Sequence, residues 1–581
     1  MERHTIGGRE VIMANKSLFG SSRGRTVKAT DAVNAAGGKA YALGPEQALA
    51  RYAATGCFSN TYYVKAEDHL NQVLDLAGEC DSEFIAKLAI FARKEGHMKD
   101  MPAFLVATLA ERSGRWSQEA QGLRRKAKAS EGSNVEQLTK DAIQLEDKAY
   151  KASAALKASF PIVIDNGKML FNFVQIMRSG KLGRKSLGAG PRDLIRGFFA
   201  RNQPNWLFRQ LSVGTDPSVA DIIKMVHPKA TTPEHDALFR YLIGKAETDK
   251  RKKGWKDLPP LVKEFEEWKR DRSLPAPAVD FQLLTAAPLT GAQWAQIFRK
   301  GQWHFIRQNL NTAIRRGALK ADPGLEEFIA ERLQDENIIR KARVMPHQLL
   351  STYKHIKSDV PRSIVDALHD AMELAVVNAP VAEGRTLVVV DVSGSMGGSI
   401  TGWRSGVPAS KIKCIDVAAL LSAAIVRKNR DSAVLPVDTH VHSSFRPEPR
   451  NPILTEASRL ARFGGGGTAL SAAFAYANQR RIKVDHVVVI SDQESWADRG
   501  YYGSGTALMQ EWEKLRSRNR NAKLVCLDIV PGNTHQIDGS HKEILQVSGW
   551  NDSVFKVISA FLKGDADSWV DMIESIDLAV N

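Results

Sequence analysis

Asp391, Ser393 and Ser395 stand at alternate positions of Asp391-Val392-Ser393-Gly394-Ser395, directly after the apolar run Thr386-Leu387-Val388-Val389-Val390. A β-branched run of this kind reads as a buried strand, so one carboxylate and two hydroxyls fall on a tight loop at its C-terminal end. Ligands of open α/β sheets bind at that edge. Oxygen donors with no Cys or His among them suit a hard cation such as Mg²⁺, which keeps positions for water or for a partner's oxygen. Two further segments point to the same edge. Phe463-Gly464-Gly465-Gly466-Gly467-Thr468 sets a hydroxyl after a glycine run, and Asp492 follows Val487-Val488-Val489-Ile490-Ser491. If the strands are parallel, the three loops converge. One Mg²⁺, or another divalent cation, can then be held by Ser393 and Ser395 directly, with Asp391, Thr468 and Asp492 direct or through water.

Other chemistries fit these residues less well. A phosphoryl-transfer aspartate of the haloacid-dehalogenase kind needs a second Asp where Ser393 stands. The glycine run lacks the Lys-Ser/Thr of a P-loop, and neither Gly-x-Ser-x-Gly nor His-Glu-x-x-His occurs. His440 and His442 alternate on an expected strand and read as solvent-facing or edge residues, with ligation the lesser reading. The site reads as one that binds and does not catalyse.

The elements that must position these groups form two regions. From about residue 40 to 378 the apolar period is helical, as in Ala103–Arg112, Gly167–Arg178, Val219–Val226, Gly291–Arg299, Leu325–Leu333 and Ile364–Val376. Many short helices without strands imply an all-α repeat array. Residues 117–157 are rich in Ala, Lys, Glu and Gln and read as a long exposed helix or helical hairpin inserted into it. Residues 246–275 read as a charged loop or break. After Asn378–Gly384 the pattern changes. Strands over 385–390, 432–437, 485–490 and 523–529 alternate with helices over 411–428, 468–479 and 508–517, which predicts a doubly wound, mostly parallel α/β domain. The expected division is a tail at 1–29, a helical domain at 30–378 and an α/β domain at 380–581. Met1 to Ile12 carry no legible pattern, and Met13 is an alternative start.

Charge divides along the same line. Residues 1–380 hold 58 basic and 43 acidic residues, and residues 381–581 hold 23 and 22. A basic helical region beside a neutral α/β domain points to a polyanion, most commonly nucleic acid. Residues 151–200 are the most one-sided, with nine basic and two acidic residues. Four scattered cysteines (Cys57, Cys80, Cys414 and Cys526) form no metal or disulfide pattern and fit a reducing, cytoplasmic setting. No apolar run is long enough for a membrane helix, so no membrane partner is expected.

Asp-x-Ser-x-Ser, Gly-Gly-Thr and a later strand-end Asp, in this order, resemble the metal-ion-dependent adhesion site of von Willebrand factor A (vWA) domains. In that family a carboxylate of a protein partner completes the metal's coordination. The helical region resembles TROVE modules at Ala35-Ala36-Gly37-Gly38-Lys39-Ala40-Tyr41, Thr55 to Tyr63, Arg192 to Phe199, Asp221 to Lys229 and Val344 to Leu350. TROVE followed by a vWA domain is the layout of the Ro autoantigen family, and the chain resembles a bacterial member. The resemblance implies a closed ring of HEAT-like helical repeats, joined at its ends by a Rossmann-like vWA domain. It implies small noncoding Y-like RNA on a basic outer surface and single-stranded ends of misfolded RNA in the central hole, in RNA quality control with an exoribonuclease as a further partner. Residues Lys224, His227 and Lys229 match the family's RNA-contacting stretch. Arg192 and Arg196 lie on one face of a basic helix, Arg209 is what remains of a denser cluster, and Lys181, Arg184 and Lys185 add charge from the preceding loop. Trp294, Trp303 and Phe305 read as core.

The sequence therefore predicts a monomeric, non-enzymatic RNA-binding scaffold. Its first rival is a metal-dependent protein-adhesion module without RNA function. An RNA-processing enzyme ranks lower, since no clustered catalytic carboxylates or His-based acid/base pair are visible in the helical region, and one cation among hydroxyls does not resemble a two-metal nuclease.

Overall fold

The computed structural model describes residues 3–6, 9–12 and 27–578, apart from 57–58, 247, 249–252, 287, 343, 377–383, 401–402, 405–406, 409, 499–504, 551 and 565–567. The expected boundary over Asn378–Glu383, and Cys57, therefore lie outside the described residues. Arg3–Ile6 pairs antiparallel with Arg9–Ile12, a hairpin within the expected N-terminal tail.

The helical region opens with α1 (Pro45–Thr55) and runs through short helices, many of which start where the sequence supplies a cap. Asp81 accepts from Phe84 N–H ahead of Ser82–Lys94, and Asn166 accepts from Met169 N–H ahead of Gly167–Arg178. Such caps satisfy amide groups that a helix start leaves unpaired. Between them α2 (Asp100–Lys128) and α3 (Ser133–Val163) form the expected hairpin over 117–157. Arg124 of α2 joins Glu146 of α3 through two hydrogen bonds of 3.0 and 2.8 Å. Within 246–275 the expectation of a loop is corrected. Pro260–Arg270 is a helix that buries Leu261, Val262, Phe265 and Trp268, its apolar stripe narrow amid Lys and Glu. Trp294 and Trp303 are core, as expected, and Trp303 Nε1 donates to Leu333 O at 3.2 Å. The last helices of the array are α4 (Pro346–His355) and α5 (Arg362–Ala375).

The α/β domain is built on a five-stranded parallel sheet among the described residues. Its strands are β1 (Thr386–Asp391), β2 (Ala433–Val437), β3 (His486–Ser491), β4 (Lys523–Asp528) and β5 (Ile544–Ser548), in spatial order β5-β4-β3-β1-β2. The central strands are buried on both faces, which explains their unbroken Val-rich runs. Helices α6 (Cys414–Lys428) and α7 (Ala507–Arg518) cover the sheet.

Both ends of the helical array dock on this domain. At the first end, Lys39–Ala42 pairs antiparallel with Thr534–His535, and Tyr41 enters the α/β core. At the other, Lys354 of α4 meets Asp416 of α6 at 2.6 Å. Glu373 of α5 accepts from Ile453 N–H at 2.7 Å and pairs with Arg427 at 3.1 Å. The chain closes into a ring of helices with the α/β domain as its link.

Candidate functional site

The sheet brings the three predicted loops together. Asp391 ends β1, Asp492 follows β3, and Thr468 lies ahead of the helix Ser471–Gln479. The glycine run zips onto the first loop: Gly465 N–H donates to Val392 O and Gly394 N–H to Gly466 O, both at 2.9 Å. Gly464 has φ +86°, and a Cβ there would stand 2.0 Å from Val392 O, so only glycine fits.

All five predicted metal residues are buried: Asp391, Ser393, Ser395, Thr468 and Asp492. Asp391 Oδ1 accepts from Ser393 N–H at 2.9 Å, and Ser393 Oγ lies 3.1 Å from Ser395 Oγ. Asp492 Oδ1 accepts from Glu494 N–H at 3.2 Å. Thr468 Oγ1 is buried and has no hydrogen-bond partner. Burial, and then repulsion from Asp492, pushes the Asp391 carboxyl up to about 7. Burial raises Asp492 as well. Two buried carboxylates of like charge sit beside an orphaned hydroxyl, and the nearby cation, Arg51, is already paired with Asp528. A hard divalent cation fits this all-oxygen set and would satisfy both deficits.

Four contributors to this centre were not read from the sequence. Ser491 Oγ donates to Asp391 Oδ2 at 2.6 Å, locking the carboxylate. Glu494 Oε2 accepts from Ala36 N–H at 3.2 Å, and burial followed by the Asp492 charge pushes it up to about 7. Tyr63 of the helical region lies beside Ser395, and burial followed by the Asp492 charge pushes its phenol up to about 12. Arg51 of α1 is buried, pairs with Asp528 at 3.4 Å and donates to Asp492 O at 3.4 Å. Tyr63 and Ala36 lie in segments that carry the TROVE resemblance, which was the one signal available for them.

The predicted RNA residues divide. Arg192 is exposed on Ala189–Arg201. Lys224, His227 and Lys229 are exposed at the end of Val219–Val226, where His227 adopts φ +49° as the helix ends. Arg196 links these helices: its Nε donates to Val226 O at 2.6 Å and its Nη1 meets Asp193 at 2.7 Å. The other predicted residues have different neighbours. Arg209 donates to Ala278 O at 2.9 Å, Lys181 pairs with Glu67 at 3.5 Å, and Arg184 donates to Ser186 O at 3.1 Å. Lys185 is exposed beside Gly180.

Residues 385–562 match the family model of the Ro60 vWA domain. The C-terminal domain has the vWA fold and is similar to the vWA domain of Ro60. The likeness extends beyond it. The chain is 24% identical over 559 residues to the RNA-binding protein RO60 of Deinococcus radiodurans, covering 92% of this chain and 95% of that protein. It is 23% identical over 249 residues to the RNA-binding protein RO60 of Caenorhabditis elegans, covering 41% of this chain and 36% of that one. The crystal structure of the Deinococcus radiodurans RO (RSR) protein superposes with a TM-score of 0.58 at 20% identity, over 90% of this chain and all of that one. The Ro resemblance drawn from the TROVE segments and the adhesion motif is met by these findings, and the helical ring closed by a vWA domain is the Ro fold. In this Ro-like chain Ala36, Arg51 and Tyr63 of the helical region meet the five predicted metal residues and their neighbours, so both domains contribute to one cluster.

Proposed function

We propose that this chain is a non-enzymatic, cytoplasmic RNA-binding scaffold that acts as a monomer. Small structured RNA of the Y-like class binds its basic outer surface, and single-stranded ends of misfolded RNA engage the ring. The similarity to an RNA-binding protein RO60 over 92% of the chain carries this reading. The exposed Arg192, Lys224, His227 and Lys229 support it, because phosphate contacts from such side chains give affinity with little sequence readout. The vWA centre binds Mg²⁺ and, through it, an acidic residue of a protein partner such as an exoribonuclease.

The test is to purify the protein from its own cells and sequence nuclease-protected RNA that accompanies it. A discrete small structured RNA is expected. Nucleic-acid-free protein at low salt would overturn the scaffold reading in favour of a metal-dependent adhesion module.

A further inference from the structure

Asp438, His440 and His442 lie just past β2, on the same sheet edge as the adhesion-type centre but outside its five residues. Sequence alternation alone leaves the two imidazoles pointing to solvent or to an edge. The backbone instead folds back on itself: Val437 bridges Val441, Asp438 N–H donates to His440 O at 3.1 Å, and His442 N–H donates to Pro436 O at 2.9 Å. This tight return gathers all three side chains. His440 Nδ1 and His442 Nε2 each lie 3.2 Å from Asp438 Oδ1, and the three ligand atoms fall within 4.8 Å of one another. A tetrahedral zinc site with bonds of roughly 2.0–2.1 Å separates its ligand atoms by about 3.3 Å.

The donors also carry an unmet need. His442 Nε2 is buried and makes no hydrogen bond, although a carboxylate oxygen is adjacent. Asp438 is nearly fully buried, and its other oxygen accepts from Gly466 N–H at 3.3 Å, which fixes the carboxylate. His440 is 68% exposed, so water or a partner's group has access to a fourth position. Two imidazoles and one carboxylate prefer a borderline transition ion over Mg²⁺, whose all-oxygen chemistry belongs to the neighbouring centre. We propose that Asp438, His440 and His442 form a second metal site of this protein, one that takes Zn²⁺ or a similar transition ion. Asp438 O also accepts from Ala469 N–H at 2.8 Å. A metal held there braces the backbone that carries Thr468.

The untagged full-length protein, stripped with a chelator, is titrated with Co²⁺ in excess Mg²⁺. The expected result is a single Co²⁺ equivalent with the intense visible absorption of low coordination, displaced by Zn²⁺. His440→Ala and His442→Ala each lose that equivalent, whereas the Asp391→Ala/Ser393→Ala double variant and His541→Ala retain it. His541 serves as control because it belongs to the one other such cluster among the described residues, with Glu513 and Glu543. His440→Ala removes an exposed side chain and keeps the test sound should the His442 variant unfold, which circular dichroism reports. Displacement of the ion by Mg²⁺, its loss in the Asp391→Ala/Ser393→Ala protein, or its retention in His440→Ala would each overturn the proposal.

Discussion

At the scale of single residues, the adhesion-type centre combines groups whose spacing announces them with groups that only folding delivers. Asp391, Ser393, Ser395, Thr468 and Asp492 were legible because each stands at a strand end or after a glycine run. Ser491, Glu494 and Tyr63 were not, since a serine ending a valine run or a tyrosine in a loop has no periodic signature. Thr468 offers the sharpest test. Its buried hydroxyl has no partner, a state that costs about 1–3 kcal/mol unless a ligand satisfies it. Thr468→Val keeps the shape and removes the oxygen. In EDTA the variant should melt no lower than the parent, while calorimetry should show weaker Mg²⁺ binding. An unchanged Mg²⁺ affinity would remove Thr468 from the centre. Asp391→Ala with Ser393→Ala should abolish Mg²⁺-dependent partner capture and leave RNA binding intact, as a pull-down with and without EDTA would report.

At the scale of elements, α1 decides how the helical region meets the vWA domain. Arg51 enters that domain nearly fully buried, pairs with Asp528, and donates to Val530 O at 3.1 Å and Thr534 O at 2.7 Å. His535 Nε2 contacts the other oxygen of Asp528 at 3.2 Å. Removing one partner of a buried pair leaves an uncompensated charge, so Arg51→Met should cost about 3–5 kcal/mol in chemical denaturation. A loss below about 1 kcal/mol would show that the pair is dispensable, as exposed pairs are. Beside it His69 is buried between Tyr52 Oη at 3.4 Å and Thr61 Oγ1 at 3.2 Å. Burial depresses its pKa from 6.5 to about 4. The unfolded chain then binds the extra proton first, so stability is complete above about pH 6.5 and declines toward pH 4, by about 2 kcal/mol at pH 5. His69→Gln should flatten that part of the pH–stability curve; an equally steep curve would place the acid sensitivity elsewhere. Elements themselves were read well where the period was strong, as in Gly167–Arg178 and Val219–Val226. Pro260–Arg270 was missed because charge dominates its composition, and β5 because an edge strand of five residues with a polar end looks like loop.

At the scale of the whole molecule, the ring follows from two dockings that sequence could not place, since neither Tyr41 against His535 nor Glu373 against Ile453 leaves a local pattern. What sequence did carry was the charge division, because net charge is additive and needs no geometry. Direct packing sets Ala189–Arg201 beside Val219–Val226, so that Arg192 and Lys224 on these helices and Lys229 just past the second present positive charge side by side. Arg196 is a poor probe of RNA contact, since its bond to Val226 O makes it part of the packing between those helices. Arg192→Glu with Lys224→Glu changes exposed groups only. If RNA lies across these helices, each lost phosphate contact removes about one unit from the slope of log affinity against log salt. The double variant should therefore bind structured RNA more weakly at low salt and show a slope shallower by about two. The loss should be nearly the same for RNAs of different sequence, because phosphate contacts carry position and not base identity. Unchanged affinity and slope would move the RNA footprint off these helices and onto the loop that carries Lys181 and Lys185. A loss confined to one RNA sequence would instead mean that these side chains read bases.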